Sequence, residues 1–253
     1  MKKIQPFSIV YQDDDIIAVN KSSGISVNPD RYDREKKNLF ELLCTVTGKR
    51  LWLVHRIDNE TSGLVIFAKK AKTHQKLSMA FENRTIKKTY TAILSGRPSW
   101  QTETCDLPLV PNGNKLHRTI VDRYQGKKSI THFNVVLSVG NYTVVEVKPE
   151  TGRTHQIRVH AAALGHPVVC DRLYAKIAKP VYLSDFKKKW RGDKITELPL
   201  LDRLALHAAK LELPDYARKK LLEAPLSRDM NALITQFEKI AKPQGNNLSP
   251  IIW

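Results

Sequence analysis

The chain has 253 residues, 42% hydrophobic and 26% charged, an ordinary make-up for a soluble globular protein able to bury a core in one large domain or two small ones. Lys and Arg outnumber Asp and Glu by 42 to 25, and the net charge of +17 calls for a polyanionic partner. Nucleic acid comes ahead of an anionic membrane, because no apolar run approaches a spanning length and no strongly amphipathic basic helix stands out. Three scattered cysteines, Cys44, Cys105 and Cys170, argue against a disulfide framework and for a reducing, cytoplasmic setting, and Met1–Tyr11 is too short and polar for a secretory signal.

Ile9–Lys21 reads as two short strands around the acidic turn Asp13–Asp15, which lacks further ligands at metal spacing and is taken as solvated. After a polar loop over Val27–Lys37, Asn38 followed by Glu41 forms a capping-box pattern that opens a helix over Leu39–Thr45. Two apolar runs, Leu51–Val54 and Leu64–Ala68, read as buried strands on either side of a polar turn holding His55, Arg56, Asp58, Asn59, Glu60, Thr61, Ser62 and Gly63. Spacing alone leaves Asp58 open between an Asx-turn residue and a catalytic carboxylate on a loop between rigid elements; Arg56, two residues away, could keep it ionised. A helix over Thr73–Asn83 carries Leu77 and Phe81 at helical spacing with His74 on the same stripe. Lys69, Lys70, Lys72, Lys76, Arg84, Lys87 and Lys88 crowd this region, as a solvated face or as phosphate contacts.

Lys88–Leu94 alternates as a half-buried strand with Tyr90, Ala92 and Leu94 on one face, and on pattern alone Tyr90 is a core aromatic. Trp100–Arg123, with Pro108, Pro111, Gly113 and the basic Lys115, His117, Arg118 and Arg123, reads as surface loops. Ser129–Leu137 and Tyr142–Lys148 are strands joined by the two-residue hairpin signal Gly140-Asn141. Thr154–Leu164 reads as a helix capped by Thr154, with an Ile157, Ala161, Leu164 stripe and a stop at Gly165 and Pro167; His155 and Arg158 share a face. His155, His160 and His166 miss the i, i+4 spacing of a helical zinc pair, so no metal site is expected. Lys176–Leu200, with Lys187–Lys189, Trp190 and Arg191, reads as a basic insertion that either grips RNA or forms a solvated loop. Leu204–Leu213 closes the core as strand, and Met230–Ala241 is a helix within a C-terminal extension over 225–253, with Phe237 docking it.

Three blocks in order carry a family resemblance. HRIDNETSGLVIFAKK (from His55) resembles the HRLD-x-x-TSGLLL-x-AK signature of the RluA-type pseudouridine synthases. Thr85–Gly96 resembles their Lys-x-Tyr strand, and Thr151–Tyr174 resembles GRTHQIR-x-H…GHP…GD-x-x-Y. The likeness runs from about Ile9 to about Leu213; the opening departs from the family's Asn-Lys-Pro-x-Gly turn in having Ser22 for the proline. The resemblance implies an α+β fold with a mixed, mostly antiparallel central sheet, flanking helices and loops, and a single catalytic domain over 1–253 with its core at about 9–213. It also implies no S4-type domain ahead of that core.

The implied reaction breaks the N1–C1′ bond of a uridine in structured RNA, turns the base and rejoins it through C5. It needs no redox change and no outside atom, so neither cofactor nor metal is expected. One carboxylate in a dry pocket suits it better than the pair with which glycoside hydrolases activate water. By resemblance Asp58 is the nucleophile, Tyr90 stacks on the uracil and takes the proton, and Arg158 pairs with Asp58. Attack at C1′ and elimination to a glycal remain open. Arg56 fills the space of the flipped base, and His55, Lys88, Arg153 and His155 complete the RNA-contact set. The expected partner is ribosomal or transfer RNA. Two rivals differ in class: a non-catalytic RNA-binding ribosome-assembly factor, which would not need Asp58, Tyr90 and Arg158 together, and a glycosidase, which would release free uracil.

Overall fold

The computed structural model describes residues 5–29, 35–116, 118–215 and 217–241; His117 of the basic segment, part of the 27–37 loop and residues 242–253 of the C-terminal extension lie outside the described residues. In chain order the elements are β1 (Phe7–Gln12), β2 (Ile16–Lys21), α1 (Leu39–Thr47), β3 (Trp52–Leu53), β4 (Ser62–Ala68), α2 (Ala71–Glu82), β5 (Lys87–Ser95), β6 (Thr102–Cys105), β7 (Leu109–Val110), β8 (Ile120–Val121), β9 (Thr131–Val139), β10 (Tyr142–Pro149), α3 (Gln156–Ala163), β11 (Leu206–Glu212), β12 (Leu221–Glu223) and α4 (Arg228–Ala241). They gather into two compact units, one made of residues up to Thr89 with His207–Pro225, the other of Tyr90–Leu206 with the chain from Leu226 on.

In the first unit β4 is the central strand. It pairs antiparallel with β2 and β3 and parallel with β11, which in turn carries β12 antiparallel. All seven β4 residues are buried, which is why this stretch reads as an unbroken apolar run rather than an alternating one. The β1–β2 turn is closed by Asp13, whose Oδ1 accepts from the Asp15 and Ile16 amides at 2.8 Å. Helix α1 starts at Asn38, whose side chain accepts from Glu41 N–H at 3.0 Å, and stops at Gly48 in the left-handed region, φ 61°. Leu77 and Ala80 of α2 pack with Ile16, Leu64, Ile66, Leu211 and Leu222.

The second unit is an antiparallel sheet in the order β5, β10, β9, β6, with α4 against β9 and a small β7–β8 pair beside it. Tyr142 lies opposite Val139, which leaves Gly140 and Asn141 as the hairpin loop, with Gly140 at φ 57°. Phe133, Val144, Ile157, Ala161, Met230, Leu233 and Phe237 belong to one core. The mixed, mostly antiparallel α+β expectation holds.

Three local expectations do not. Trp100–Arg123 is not all loop: it holds β6, which pairs with β9, and β7 and β8, which pair with each other, strands of two to four residues too short for any periodicity to announce them. Strand β5 is buried on both faces from Thr91 to Leu94 rather than on one. Thr154 does not cap α3; the N-cap is His155 at φ 54°, with no side-chain cap bond, and the preceding turn is fixed by Gln156 instead.

Candidate active site

Asp58 sits half-buried in the 54–61 segment between β3 and β4. The turn it occupies is closed through the backbone, Thr61 N–H donating to Asp58 C=O at 3.2 Å, rather than through the carboxylate of an Asx turn. Support comes from below. Lys21 is fully buried, and its ammonium donates to the carbonyls of Ser22, Ile25 and Asn59 at 2.9, 2.8 and 2.9 Å, so all three N–H donors are engaged. Gly24 N–H also donates to Asn59 C=O at 3.0 Å, and Ser23 Oγ donates to Glu60 C=O at 2.6 Å. The 22–25 turn and the Asp58 turn are therefore one hydrogen-bonded body, and Ser22 in place of the family's proline leaves it intact.

On the far side of the turn, Gly63 has φ 111°, and a Cβ there would lie 2.2 Å from Ala208 C=O on β11. Only glycine lets β11 approach so closely. Next to it, buried Ser62 Oγ meets His207 Nδ1 at 2.9 Å, and His207 Nε2 meets Ala224 C=O at 3.2 Å.

His55 turns inward. Its Nε2 accepts from Ile66 N–H at 3.1 Å, and its ring stacks on Phe81 with centroids 4.5 Å apart. Burial, and then the nearby Lys88 charge, lower its pKa to about 3. The ring is thus neutral at physiological pH and braces the turn; a phosphate contact through it would have no charge behind it. Lys88, half-buried, has its pKa lowered to about 8 by burial and then by Arg84. Arg56 is exposed.

In the second unit Tyr90 is half-buried on β5, opposite Val147 of β10, and packs against the core. Arg158 is 2% exposed and forms a bidentate pair with Asp171, itself fully buried: Nε to Oδ2 and Nη2 to Oδ1, both 2.7 Å. Asp171 Oδ1 also accepts from the Leu173 and Tyr174 amides at 2.9 and 3.1 Å. The Arg158 guanidinium lies 5.3 Å from the centroid of the Tyr174 ring.

The Tyr174 hydroxyl accepts from Thr119 N–H at 3.0 Å and meets His155 Nδ1 at 2.8 Å. Burial raises its pKa, so the phenol stays protonated. His155 stands in the left-handed region beside Arg158, a conformation that costs a non-glycine residue about 1 kcal/mol or more and that surrounding structure must enforce. Gln156 does this: its Oε1 accepts from Arg153 N–H and Thr151 Oγ1, and its Nε2 donates to Ile130 C=O and Thr131 Oγ1, all within 3.0 Å. Arg153 reaches Lys128 C=O through Nε at 3.4 Å.

Asp171, Tyr174, Gln156 and Lys21 all escaped assignment from sequence. Asp171 and Tyr174 were in view within the GD-x-x-Y block, but only the fold shows that they hold Arg158. Cys170 occupies the block's glycine position with φ 59°, so the left-handed turn survives with a side chain in it. Among the described residues there is no group of three or more His, Cys, Asp or Glu that could hold a metal ion, and no helix is long and apolar enough to cross a membrane.

Comparison with known proteins agrees with this architecture. A model of the RNA pseudouridylate synthase family matches residues 15–163. Ribosomal large subunit pseudouridine synthase D of Zymomonas mobilis is 32% identical over 239 residues, covering 90% of this chain and 72% of that protein. The enzyme of the same name from Haemophilus influenzae is 34% identical over 240 residues, covering 92% and 71%. The solved structure of human RNA pseudouridylate synthase domain containing 1 superposes with a TM-score of 0.70 at 26% identity, over 92% of this chain and 90% of that one. These likenesses make the protein, by class, an enzyme acting on RNA. The chain belongs to the RNA pseudouridylate synthase family and is an RNA pseudouridine synthase, an isomerase that converts uridine to pseudouridine within RNA.

Proposed function

We propose that Asp58 is the carboxylate that acts on the target nucleotide, that Tyr90 stacks on the uracil, and that Arg158 supplies the counter-charge for the reaction. As the N1–C1′ bond breaks, Asp58 meets the developing positive character of the sugar. The base turns, C5 bonds to C1′, and the proton lost from C5 is balanced by one gained at N1, so the product is an isomer and nothing else is consumed. Arg56, exposed two residues before Asp58, fills the space of the extruded base, and Lys88, Arg153 and His155 contact the RNA. Both units act together as one catalytic domain.

The observation that carries this reading is the build of the Asp58 turn. Its backbone is fixed by a buried lysine and by neighbouring amides and hydroxyls, which is how a side chain is preorganised for chemistry. For substrate we favour large-subunit ribosomal RNA, since several similar proteins are named for it, and we place the enzyme in the cytoplasm as part of the same proposal. The test is a pseudouridine map of total RNA from cells with and without the gene. A large-subunit position lost on deletion and restored by the wild-type gene is the expected result; a lost position confined to transfer RNA would overturn the substrate assignment, and no lost position would overturn the proposal.

A further inference from the structure

Tyr124 is 99% exposed, the most exposed of the large hydrophobic and aromatic side chains among the described residues, yet it does not sit on a loose loop. Asp122 Oδ1 accepts from Tyr124 N–H at 2.8 Å and from Gln125 N–H at 2.9 Å, and Gly126 N–H donates to Asp122 C=O at 3.0 Å. Asp122 N–H donates to Pro108 C=O at 3.0 Å, and Leu109 and Lys127 exchange two backbone hydrogen bonds at 3.0 and 2.9 Å. Gly126 has no room for a Cβ, which would fall 2.2 Å from Asp122 C=O and 2.6 Å from the Pro108 carbonyl carbon. An aromatic ring is thus held out into solvent on a turn whose backbone order is already established, at the end of the β7–β8 pair.

The one carboxylate of the turn, Asp122, is held by the Tyr124 and Gln125 amides, and the charged side chains around it are cations. Arg123, Lys127 and Lys128 are all exposed. The turn is also wired to the Arg158 region within the same unit: Thr119 N–H donates to Tyr174 Oη, Arg118 donates to Leu173 C=O, and Arg153 donates to Lys128 C=O. A single exposed aromatic is ordinary on a folded surface; this one is set apart by a backbone fixed through Asp122 and Gly126 and by three exposed cations adjoining it. An unpaired nucleotide offers both parts, a π-face for the ring and phosphates for the cations.

We propose that the 122–126 turn is an RNA-binding finger, in which an unpaired base of the substrate stacks on Tyr124 while the adjoining phosphates engage Arg123, Lys127 and Lys128. This rests on the RNA reading above and adds a contact outside the reacting nucleotide.

The test uses the full-length enzyme and total RNA from cells lacking the gene, with pseudouridine formation followed as a function of RNA and salt concentration. Tyr124→Ala should raise KM about tenfold with kcat unchanged at saturating RNA, and Tyr124→Phe should behave as wild type. Tyr124→Ala should leave the slope of log KM against log salt unaltered, whereas Arg123→Gln should reduce it by about one. All three substitutions lie on the surface, and thermal melts should match wild type. Tyr124→Ala within twofold of wild type, Tyr124→Phe as damaged as Tyr124→Ala, or a loss confined to kcat would each overturn the finger while leaving the catalytic assignment standing. Should the wild type itself neither bind this RNA nor form pseudouridine in it, the underlying substrate reading fails and the finger fails with it.

Discussion

The two units fix their functional residues by different means. Around Asp58 the partners are mostly main-chain groups: three carbonyls converge on the Lys21 ammonium, and Gly63 lets β11 come close. Around Arg158 the partners are side chains, a buried bidentate ion pair with Asp171, the Tyr174 ring and hydroxyl, and the fully satisfied Gln156 amide. Main-chain cradling sets the position of a turn and leaves the carboxylate on it available for chemistry. A side-chain network sets the orientation of one guanidinium in a low-dielectric setting, where losing any member leaves a charge or polar group stranded.

The difference is best broken at Asp171. Asp171→Ala leaves the buried Arg158 guanidinium without its carboxylate and should cost about 3–5 kcal/mol of stability, read as a denaturant midpoint shift, together with most of the activity. At the other unit Lys21→Met strips three carbonyls of a donor, one of which keeps the Gly24 amide. The expected loss is smaller, about 2–3 kcal/mol, with kcat falling more than KM rises because the Asp58 turn loosens. Equal losses in the two variants would erase the distinction.

A gentler probe is pH. Lys88, with its pKa lowered to about 8, is largely charged at pH 7 and mostly neutral at pH 9, so RNA affinity should fall across that interval by a few-fold more than its charge-fixed variant Lys88→Arg shows. Calorimetry at pH 8.5 should show proton uptake on RNA binding in the wild type that Lys88→Arg reduces. The sign for stability is opposite: the folded chain holds this proton less tightly than the unfolded one, so Lys88 adds stability as pH rises from about 8 toward 10.5. The smallest effect is expected at Thr154, which the sequence suggests as a cap and the structure does not use. Thr154→Ala should shift the melting temperature by about a degree or less, where a true N-cap loss would cost about 1 kcal/mol.

These particulars also show what a sequence can disclose. The Asn38 cap, the Gly140-Asn141 hairpin and the unbroken apolar run of β4 were legible because each is written within a few adjacent residues. The short strands β6, β7 and β8 were not, since their pairing partners supply the order that their own composition lacks. Asp58, Tyr90 and Arg158 stood out through block resemblance. Asp171 pairs with Arg158 from thirteen residues away across a loop, and Lys21 reaches Asn59 across thirty-eight, distances over which pattern carries no signal. His55 shows the remaining gap: block resemblance sets it among the RNA contacts, and only the fold shows its ring nitrogen accepting from Ile66.

The central claim concerns one carboxylate, and the most direct measurement replaces a single oxygen. Purified Asp58→Asn and wild type are compared on the same unmodified RNA for pseudouridine formed and for RNA bound. The account predicts no detectable product from the variant at an affinity within about threefold of wild type; pseudouridine formed at anything near the wild-type rate would contradict it.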